Sequence, residues 1–183
     1  MDWMMMPLRR YADFSGRSRR MEFWMWVLFQ FILYTALSVV MFAVTGAAIW
    51  SASQTNDIAG AIGAGLGFML FIMLFGLIWL VLLVPSLAVS VRRLHDINRS
   101  GWWVGGYFLA SLGLNTLSFS LLAIAVTSLE SAIAAGGVMT LLVMGLFVYA
   151  LVLLVFFFLD GTPGANRYGP DPKGRADAAN VFG

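Results

Sequence analysis

Long apolar runs alternate with short polar segments along the chain, and the runs are longer than the buried helices of most soluble folds. They extend from about Phe23 to Ile49, Ile62 to Val91, Trp102 to Val126 and Val138 to Leu159, and none contains Asp, Glu, Lys, Arg or His. A helix needs ~20 apolar residues to cross the ~30 Å hydrocarbon core of a bilayer. Each run therefore predicts one transmembrane helix.

The composition supports a membrane protein. Hydrophobic residues make up 61% of the chain and charged residues 11%, against roughly half and a quarter in soluble domains. So few polar residues cannot cover the surface of a soluble fold of this size. The sequence has no cysteine, which excludes disulfides, thiolate nucleophiles and cysteine metal sites. The predicted fold is an all-α membrane protein with four transmembrane helices.

The basic residues are confined to three of the polar segments. They are Arg9, Arg10, Arg17, Arg19 and Arg20 before the first run, Arg92, Arg93 and Arg99 between the second and third, and Arg167, Lys173 and Arg175 after the fourth. The connectors 51–60 and 127–137 contain no basic residue and one acid each, Asp57 and Glu130. Because Lys and Arg are retained on the cytoplasmic side during insertion, we expect both termini and the 92–101 connector to be cytoplasmic.

The segment before the first run has a helical pattern of its own. Trp3, Met4, Pro7, Leu8, Tyr11 and Phe14 recur at helical spacing, with Arg9 and Asp13 on the other side. This pattern fits a short interfacial helix along the cytoplasmic leaflet, and an irregular segment with scattered aromatics fits it as well. We expect residues 1–172 to form a single membrane domain and residues 173–183 a flexible cytoplasmic tail.

The connector RRLHDINRSGWW, residues 92–103, holds the only histidine of the chain. At helical spacing Arg92, His95, Asp96 and Arg99 fall within an arc of about 100°. The second helix is therefore expected to continue past the membrane surface with one charged stripe. Asn98, Ser100 and Gly101 supply turn residues. Trp102 and Trp103, together with Trp24, are expected to anchor the helices at the headgroup level.

Two interpretations of the charged stripe compete. His95 and Asp96 could form an acid–base pair beside an arginine clamp for an anion, since arginine binds phosphate in a bidentate manner and histidine titrates near neutrality. Adjacent residues of a helix do not face each other, however. No carboxylates recur at metal-ligand spacing either. We therefore favour structural anchoring, with phosphate or lipid-headgroup binding second, and predict no catalytic residue, metal site or cofactor.

Three segments together resemble one known family. They are YADFSGRSRRMEFW (11–24), RRLHDINRSGWW (92–103) and GTPGANRYGPDP (161–172). Their order and their positions relative to the apolar runs resemble the domain of unknown function 805 family of small bacterial inner-membrane proteins. The resemblance implies a multi-pass inner-membrane protein with these motifs on the cytoplasmic side and no assigned reaction.

Because the three motifs share one predicted side of the membrane, we expect them to meet in a cytoplasmic cluster. Its predicted members are Arg17, Arg20, Glu22, Arg92, Arg93, His95, Asp96, Arg99, Asp160, Asn166 and Arg167. The cluster is expected to stabilise the helix bundle and to contact anionic lipid headgroups or a partner protein. Nucleic acid is not an expected partner.

Two other functions remain open from the sequence. One is a small-solute transporter or channel, with Asn115 and neighbouring hydroxyl groups lining a path. Interhelical hydrogen bonding explains these polar residues without transport. The other is a membrane enzyme that acts on a phosphorylated or lipid substrate through His95, Asp96 and the arginines.

Overall fold

The computed structural model describes residues 2–55 and 57–174. This part of the chain contains five helices: α1 (Asp2–Arg9), α2 (Arg20–Thr55), α3 (Ile58–Asp96), α4 (Trp102–Ala125) and α5 (Leu129–Phe158). The four long helices contain the four apolar runs to within one residue, and all four are long and apolar enough to span a membrane. The prediction of an all-α membrane protein with four spans is confirmed.

The long helices extend well beyond their apolar runs. α2 has 36 residues and α3 has 39, which at 1.5 Å per residue gives helices of roughly 54 and 58 Å. The hydrocarbon core is only ~30 Å thick. Hydrophobicity therefore locates the membrane-crossing part of each helix, whereas the helix ends are decided by local capping and by contacts outside the apolar run.

The start of α5 shows how capping sets a helix end. α5 begins at Leu129 rather than at Val138, where the apolar run begins. The Ser128 hydroxyl accepts a hydrogen bond from the Ser131 N–H, and the Ser131 hydroxyl accepts one from the Ser128 N–H, both at 3.1 Å. This reciprocal capping box satisfies N–H groups that otherwise lack an intrahelical partner. The expected connector 127–137 is therefore mostly helical.

The apolar side chains face outward. In the most apolar window of each long helix, 0%, 6%, 0% and 6% of the residues are buried inside the chain. The buried residues instead include Arg17, Ser18, Arg92, Arg93 and Asp96. Apolar residues such as Trp26, Ala88 and Leu94 are buried as well. The low burial of the most apolar windows is what is expected when lipid covers the apolar helix surfaces.

The chain consists of two compact units. The first comprises Met1–Asp13 and Met21–Ala88, and the second comprises Phe14–Arg20 and Val89–Gly183. The prediction of a single membrane domain over residues 1–172 stays a prediction. Most of the expected flexible tail, residues 175–183 with Arg175, lies outside the described residues.

Polar contacts join the helices of the first unit. The Trp26 indole Nε1 and the Gln30 amide both donate to the Ser86 hydroxyl, at 3.1 and 2.9 Å. The Tyr11 hydroxyl, just after α1, donates to the Val81 carbonyl at 2.6 Å.

The expected N-terminal helix forms as α1, while its location at the membrane interface stays a prediction.

Aromatic contacts join α4 and α5 in the second unit. The Trp103 ring packs edge-on against Tyr149 and Phe156, with centroid distances of 6.0 and 5.3 Å. The Tyr149 hydroxyl also donates to the Trp103 carbonyl at 2.9 Å. Trp103 is therefore fixed by packing at the start of α4.

The turn from α3 to α4 is a Schellman motif. Asn98 adopts the left-handed conformation with φ 59°. The Asn98 N–H donates to the His95 carbonyl at 3.1 Å, and the Arg99 N–H donates to the Leu94 carbonyl at 2.9 Å. This pattern satisfies carbonyl groups at the end of a helix and reverses the chain. At Gly101, a Cβ would overlap the Val91 side chain, so the start of α4 packs closely on the end of α3.

The expected charged stripe is shorter than predicted. α3 does continue to Asp96, but the chain leaves the helix before Arg99. The Arg99 guanidinium lies 5.5 Å from the centroid of the Phe156 ring. The inclusion of Arg99 in a helical stripe was therefore wrong, because the left-handed Asn98 reverses the chain first.

Candidate functional site

Asp96 is a buried acidic residue whose two carboxylate oxygens each accept a hydrogen bond from an arginine. It lies at the C-terminal end of α3 and is 3% exposed. Its Oδ1 accepts a hydrogen bond from the Arg17 Nε at 2.9 Å, and its Oδ2 accepts one from the Arg93 Nη1 at 2.7 Å. A carboxylate at a helix C-terminus is repelled by the helix dipole. The two guanidinium groups offset this repulsion and form what we call the double salt bridge.

Arg17 extends the double salt bridge to the loop that follows α5. The side chain is 1% exposed, and its Nη1 and Nη2 donate to the carbonyls of Gly164 and Thr162, both at 2.6 Å. The buried Asp171 carboxylate lies 3.9 Å away. One guanidinium therefore holds the loop 160–172 against the end of α3.

Arg93 connects the double salt bridge to the end of α5. Its side chain is fully buried, and its Nη2 donates to the Leu159 carbonyl and, at 3.4 Å, to the Phe157 carbonyl. The last carbonyls of a helix have no intrahelical partner and carry the negative end of its dipole. Arg93 therefore caps α5 while it pairs with Asp96.

Arg20 reaches the same helix end at the surface. Its Nη1 donates to the Phe158 carbonyl at 2.9 Å, and its Nη2 lies 2.7 Å from the Asp160 carboxylate. The Lys173 ammonium also pairs with Asp160, at 3.2 Å. The side chains of Arg20 and Asp160 are 41% and 59% exposed, so this outer pair is weaker than the double salt bridge.

The backbone of the loop 160–172 packs directly on the end of α3. The Thr162 backbone N–H donates to the Asp96 carbonyl at 2.9 Å, and the side-chain amide Nδ2 of Asn166 donates to the His95 carbonyl at 3.0 Å. A Cβ at Gly161 would overlap the Asp96 carboxylate. The loop therefore needs a residue without a side chain at position 161.

His95 faces away from Asp96. Its Nδ1 lies 3.2 Å from the Gly16 carbonyl, and since a carbonyl only accepts, Nδ1 carries the proton. Its ring stacks on Tyr168 at 3.8 Å with an interplanar angle of 6°. The two neighbours therefore have separate partners, and the geometry does not form a His–Asp acid–base pair.

The structure brings most of the expected cluster residues into contact. Arg17, Arg20, Arg93, His95, Asp96, Asp160 and Asn166 share the contacts described above. The Arg167 guanidinium donates to the Asn98 carbonyl at 3.2 Å, and the buried Arg92 accepts the Ser18 N–H at its carbonyl, 3.1 Å away. Glu22 is buried in the first unit, and Arg99 lies over Phe156. The binding role of these residues stays a prediction, as does membrane anchoring by Trp24, Trp102 and Trp103.

Sequence reasoning missed several residues of this site. They are Gly16 and Gly161, which act through their backbone, Thr162, which acts through its backbone and its hydroxyl, Tyr168, which stacks on His95, and Arg19, whose Nε donates to the Pro172 carbonyl at 2.7 Å. All of them lie inside the segments 11–24 and 161–172. Each of them was a candidate once every residue of those two motifs, charged or uncharged, was taken as part of the site.

The described part of the chain offers no group of three or more His, Asp or Glu side chains that could hold a metal ion.

Comparison with known proteins finds a family whose sequences are similar to this chain. A family model described as protein of unknown function (DUF805) matches residues 11–170. The Escherichia coli K12 inner membrane protein YhaI is 32% identical over 173 residues, which cover 94% of this chain and 97% of YhaI. Inner membrane protein YhaH of the same strain is 30% identical over 173 residues, covering 94% and 98%. No solved structure matches the chain.

Proposed function

Since this chain belongs to the DUF805 family of proteins of unknown function, we propose that it is an integral inner-membrane protein whose buried charged cluster is a structural anchor. The observation that carries the proposal is the double salt bridge, in which both Asp96 oxygens are engaged by buried arginines. A catalytic carboxylate needs an oxygen that can reach a substrate. Asp96 has neither the exposure nor a free oxygen for that role, so we propose no enzymatic activity here.

The anchor joins three separate parts of the chain. Arg17 comes from the segment before α2, Asp96 and Arg93 come from the end of α3, and their carbonyl acceptors lie at the end of α5 and in the loop 160–172. Removing one member of a buried ion pair leaves the other charge without compensation, which costs about 3–5 kcal/mol. The cluster thereby fixes the loop against the helix ends.

We propose that this anchor lies on the cytoplasmic side. The support is the distribution of basic residues, which are absent from the 51–60 and 127–137 segments and present in the three segments that form the anchor. Basic groups beside the membrane gain ~1 kcal/mol each from anionic headgroups. Contact with anionic lipid is therefore part of the proposed function.

The Asp96→Asn variant tests the anchor. Asparagine keeps the shape and removes the charge, so Arg93 loses its ion pair with Asp96 and Arg17 keeps only the more distant Asp171 at 3.9 Å. We expect the free energy of unfolding of the full-length protein in detergent micelles to fall by about 3–5 kcal/mol. Trypsin should also cleave faster after the exposed Arg167, because the loop 160–172 is released.

Asp13→Asn is the matched control. Asp13 pairs with Arg10 at 2.6 Å, but the two side chains are 36% and 37% exposed. Such a pair is worth about 0–1 kcal/mol, so the free energy of unfolding of this variant should be close to that of the wild type. If Asp96→Asn were as stable and as resistant to trypsin as Asp13→Asn, the anchor proposal would be wrong.

A further inference from the structure

A surface cavity lies beside the anchor, within the second unit. Its volume is about 350 Å³, and it is lined by Val91, His95, Ser100, Gly101, Trp102 and Tyr168. These residues come from the end of α3, the turn to α4, the start of α4 and the loop 160–172. The volume is within the ~300–1,000 Å³ range of small-molecule sites.

The lining offers polar groups that the anchor does not use. The His95 Nδ1 is bonded to the Gly16 carbonyl, so Nε2 is the ring nitrogen left for another contact. Tyr168 brings a hydroxyl group on a ring held flat against His95, and Ser100 brings a second hydroxyl. The stacked rings form a preorganised wall, so a ligand would lose little free energy in ordering them.

Positive charge lies next to this wall. The Arg167 guanidinium lies 4.7 Å from the centroid of the Tyr168 ring, and the residue is exposed. One of its nitrogens donates to the Asn98 carbonyl, which leaves most of its N–H donors for another acceptor. At the adjacent start of α4 the Ser100 hydroxyl oxygen accepts a hydrogen bond from the Trp102 N–H at 3.3 Å, and its own O–H stays a donor for a ligand. The cavity therefore combines hydroxyl groups and an apolar wall, and a cation lies beside it on the Tyr168 ring.

The geometry points to the phosphodiester group of an anionic glycerophospholipid as the ligand of this cavity. Arg167 pairs with the phosphate, the hydroxyls of Ser100 and Tyr168 donate to it, and Val91 and Trp102 contact the glycerol and the first methylene groups. The inference deepens the proposed function, since it rests on lipid contact at the membrane surface and names the site and the lipid class.

The position of the cavity favours a lipid over free phosphate. It lies where α3 ends and α4 begins, at one end of two helices that are long and apolar enough to span a membrane. Trp102, which forms one wall, is 75% exposed. An exposed tryptophan at the end of a membrane helix is typical of the headgroup level, where lipid phosphates are abundant.

Titration of the full-length protein in detergent micelles tests this inference. The probes are dihexanoyl phosphatidylglycerol, dihexanoyl phosphatidylcholine and inorganic phosphate, and binding is measured by calorimetry and by phosphorus NMR line widths. We expect phosphatidylglycerol to bind most tightly. Arg167→Gln should weaken this binding about tenfold, the effect of one charge-assisted hydrogen bond. Arg10→Gln is the charge-matched control, since Arg10 pairs with Asp13, and should bind like the wild type.

A second variant distinguishes binding of the whole lipid from binding of its phosphate group alone. Trp102→Leu removes part of the apolar wall and keeps Arg167. It should therefore weaken the binding of phosphatidylglycerol and leave the affinity for inorganic phosphate unchanged. Equal binding of phosphatidylglycerol to the wild type and to Arg167→Gln would overturn the site. If inorganic phosphate or phosphatidylcholine binds as tightly as phosphatidylglycerol, the assignment of an anionic glycerophospholipid as the ligand is wrong.

The anchor and the cavity can fail separately. If Asp96→Asn is as stable as the wild type while phosphatidylglycerol binding still depends on Arg167, the anchor is refuted and the lipid site stands. If Asp96→Asn is destabilised while Arg167→Gln, melting like the wild type, binds phosphatidylglycerol unchanged, the lipid site is refuted and the anchor stands.

Discussion

Gly161 shows how closely individual residues are fitted at the double salt bridge. It follows Asp160 in the loop after α5, and a Cβ there would overlap the Asp96 carboxylate. The carboxylate cannot move away, because its two oxygens are held by Arg17 and Arg93. A methyl group at this position would therefore either displace the loop or break the pairing.

We predict that Gly161→Ala destabilises the protein by about 1–3 kcal/mol, the usual cost of an added group in a packed site. The measurement is thermal unfolding of the full-length protein in detergent micelles. Gly145→Ala in α5 is the control, because a Cβ there meets nothing within 4 Å, and it should be neutral or slightly stabilising. Equal melting temperatures for the two variants would mean that the loop does not pack on Asp96.

Single residues of the site were predictable from the sequence mainly where they carry charge, with Asn166 as an uncharged exception. Arg17, Arg93 and Asp96 were expected in one cluster because their segments share a predicted side of the membrane. Gly161 was not, because an uncharged residue that contributes its backbone leaves no compositional signal, and a single hydroxyl such as that of Thr162 leaves almost none. Helix geometry alone predicted that the side chains of His95 and Asp96 do not face each other. In the structure each side chain has its own hydrogen-bond partners.

The C-terminal end of α5 has two arginine caps that differ in their surroundings. Arg93 is fully buried and also bonds to Asp96, whereas Arg20 is 41% exposed and pairs with the exposed Asp160. Both donate to carbonyls of the last residues of α5. The same helix end therefore allows a buried and an exposed cap to be compared directly.

Replacing each cap with methionine, which has a similar length and no charge, should give unequal results. Arg93→Met leaves Asp96 with one arginine partner and removes the Arg93 hydrogen bonds to the Phe157 and Leu159 carbonyls, so we expect a loss of about 3–5 kcal/mol. Arg20→Met should cost about 1 kcal/mol or less, since solvent screens its interactions. Thermal unfolding of both variants in the same detergent measures the difference, and equal losses would contradict the assignment of Arg93 as the main cap.

The existence of the four long helices was predictable, and their ends were less so. The apolar runs locate the spans because hydrocarbon demands apolar side chains over a fixed thickness. The extension of α5 back to Leu129 depends on the capping box formed by Ser128 and Ser131, which lies outside the apolar run and leaves no signal in it. The end of α3 depends on Asn98 in the left-handed conformation, which a helical projection of Arg92 to Arg99 does not take into account.

For the chain as a whole, the main untested expectation is its orientation in the membrane. All basic residues lie in the N-terminal segment, the 92–101 connector and the segment after α5. The structure joins these three segments through Arg17, Asp96 and the loop 160–172. Segments held together by buried ion pairs lie on the same side of a membrane, and this is the same grouping that the charge distribution requires.

Reporter fusions should therefore divide the connectors into two sets. Alkaline phosphatase, which is active only outside the cytoplasm, should be active after residues 57 and 130 and inactive after residues 98 and 175. Green fluorescent protein fused at the same four positions should give the reciprocal pattern, which controls for failed expression. Active phosphatase after residue 98 would place three arginines on the external side and contradict the proposed orientation. The double salt bridge would then require the N-terminal segment and the loop 160–172 to be external as well, so fusions after residues 98 and 175 must agree in either orientation.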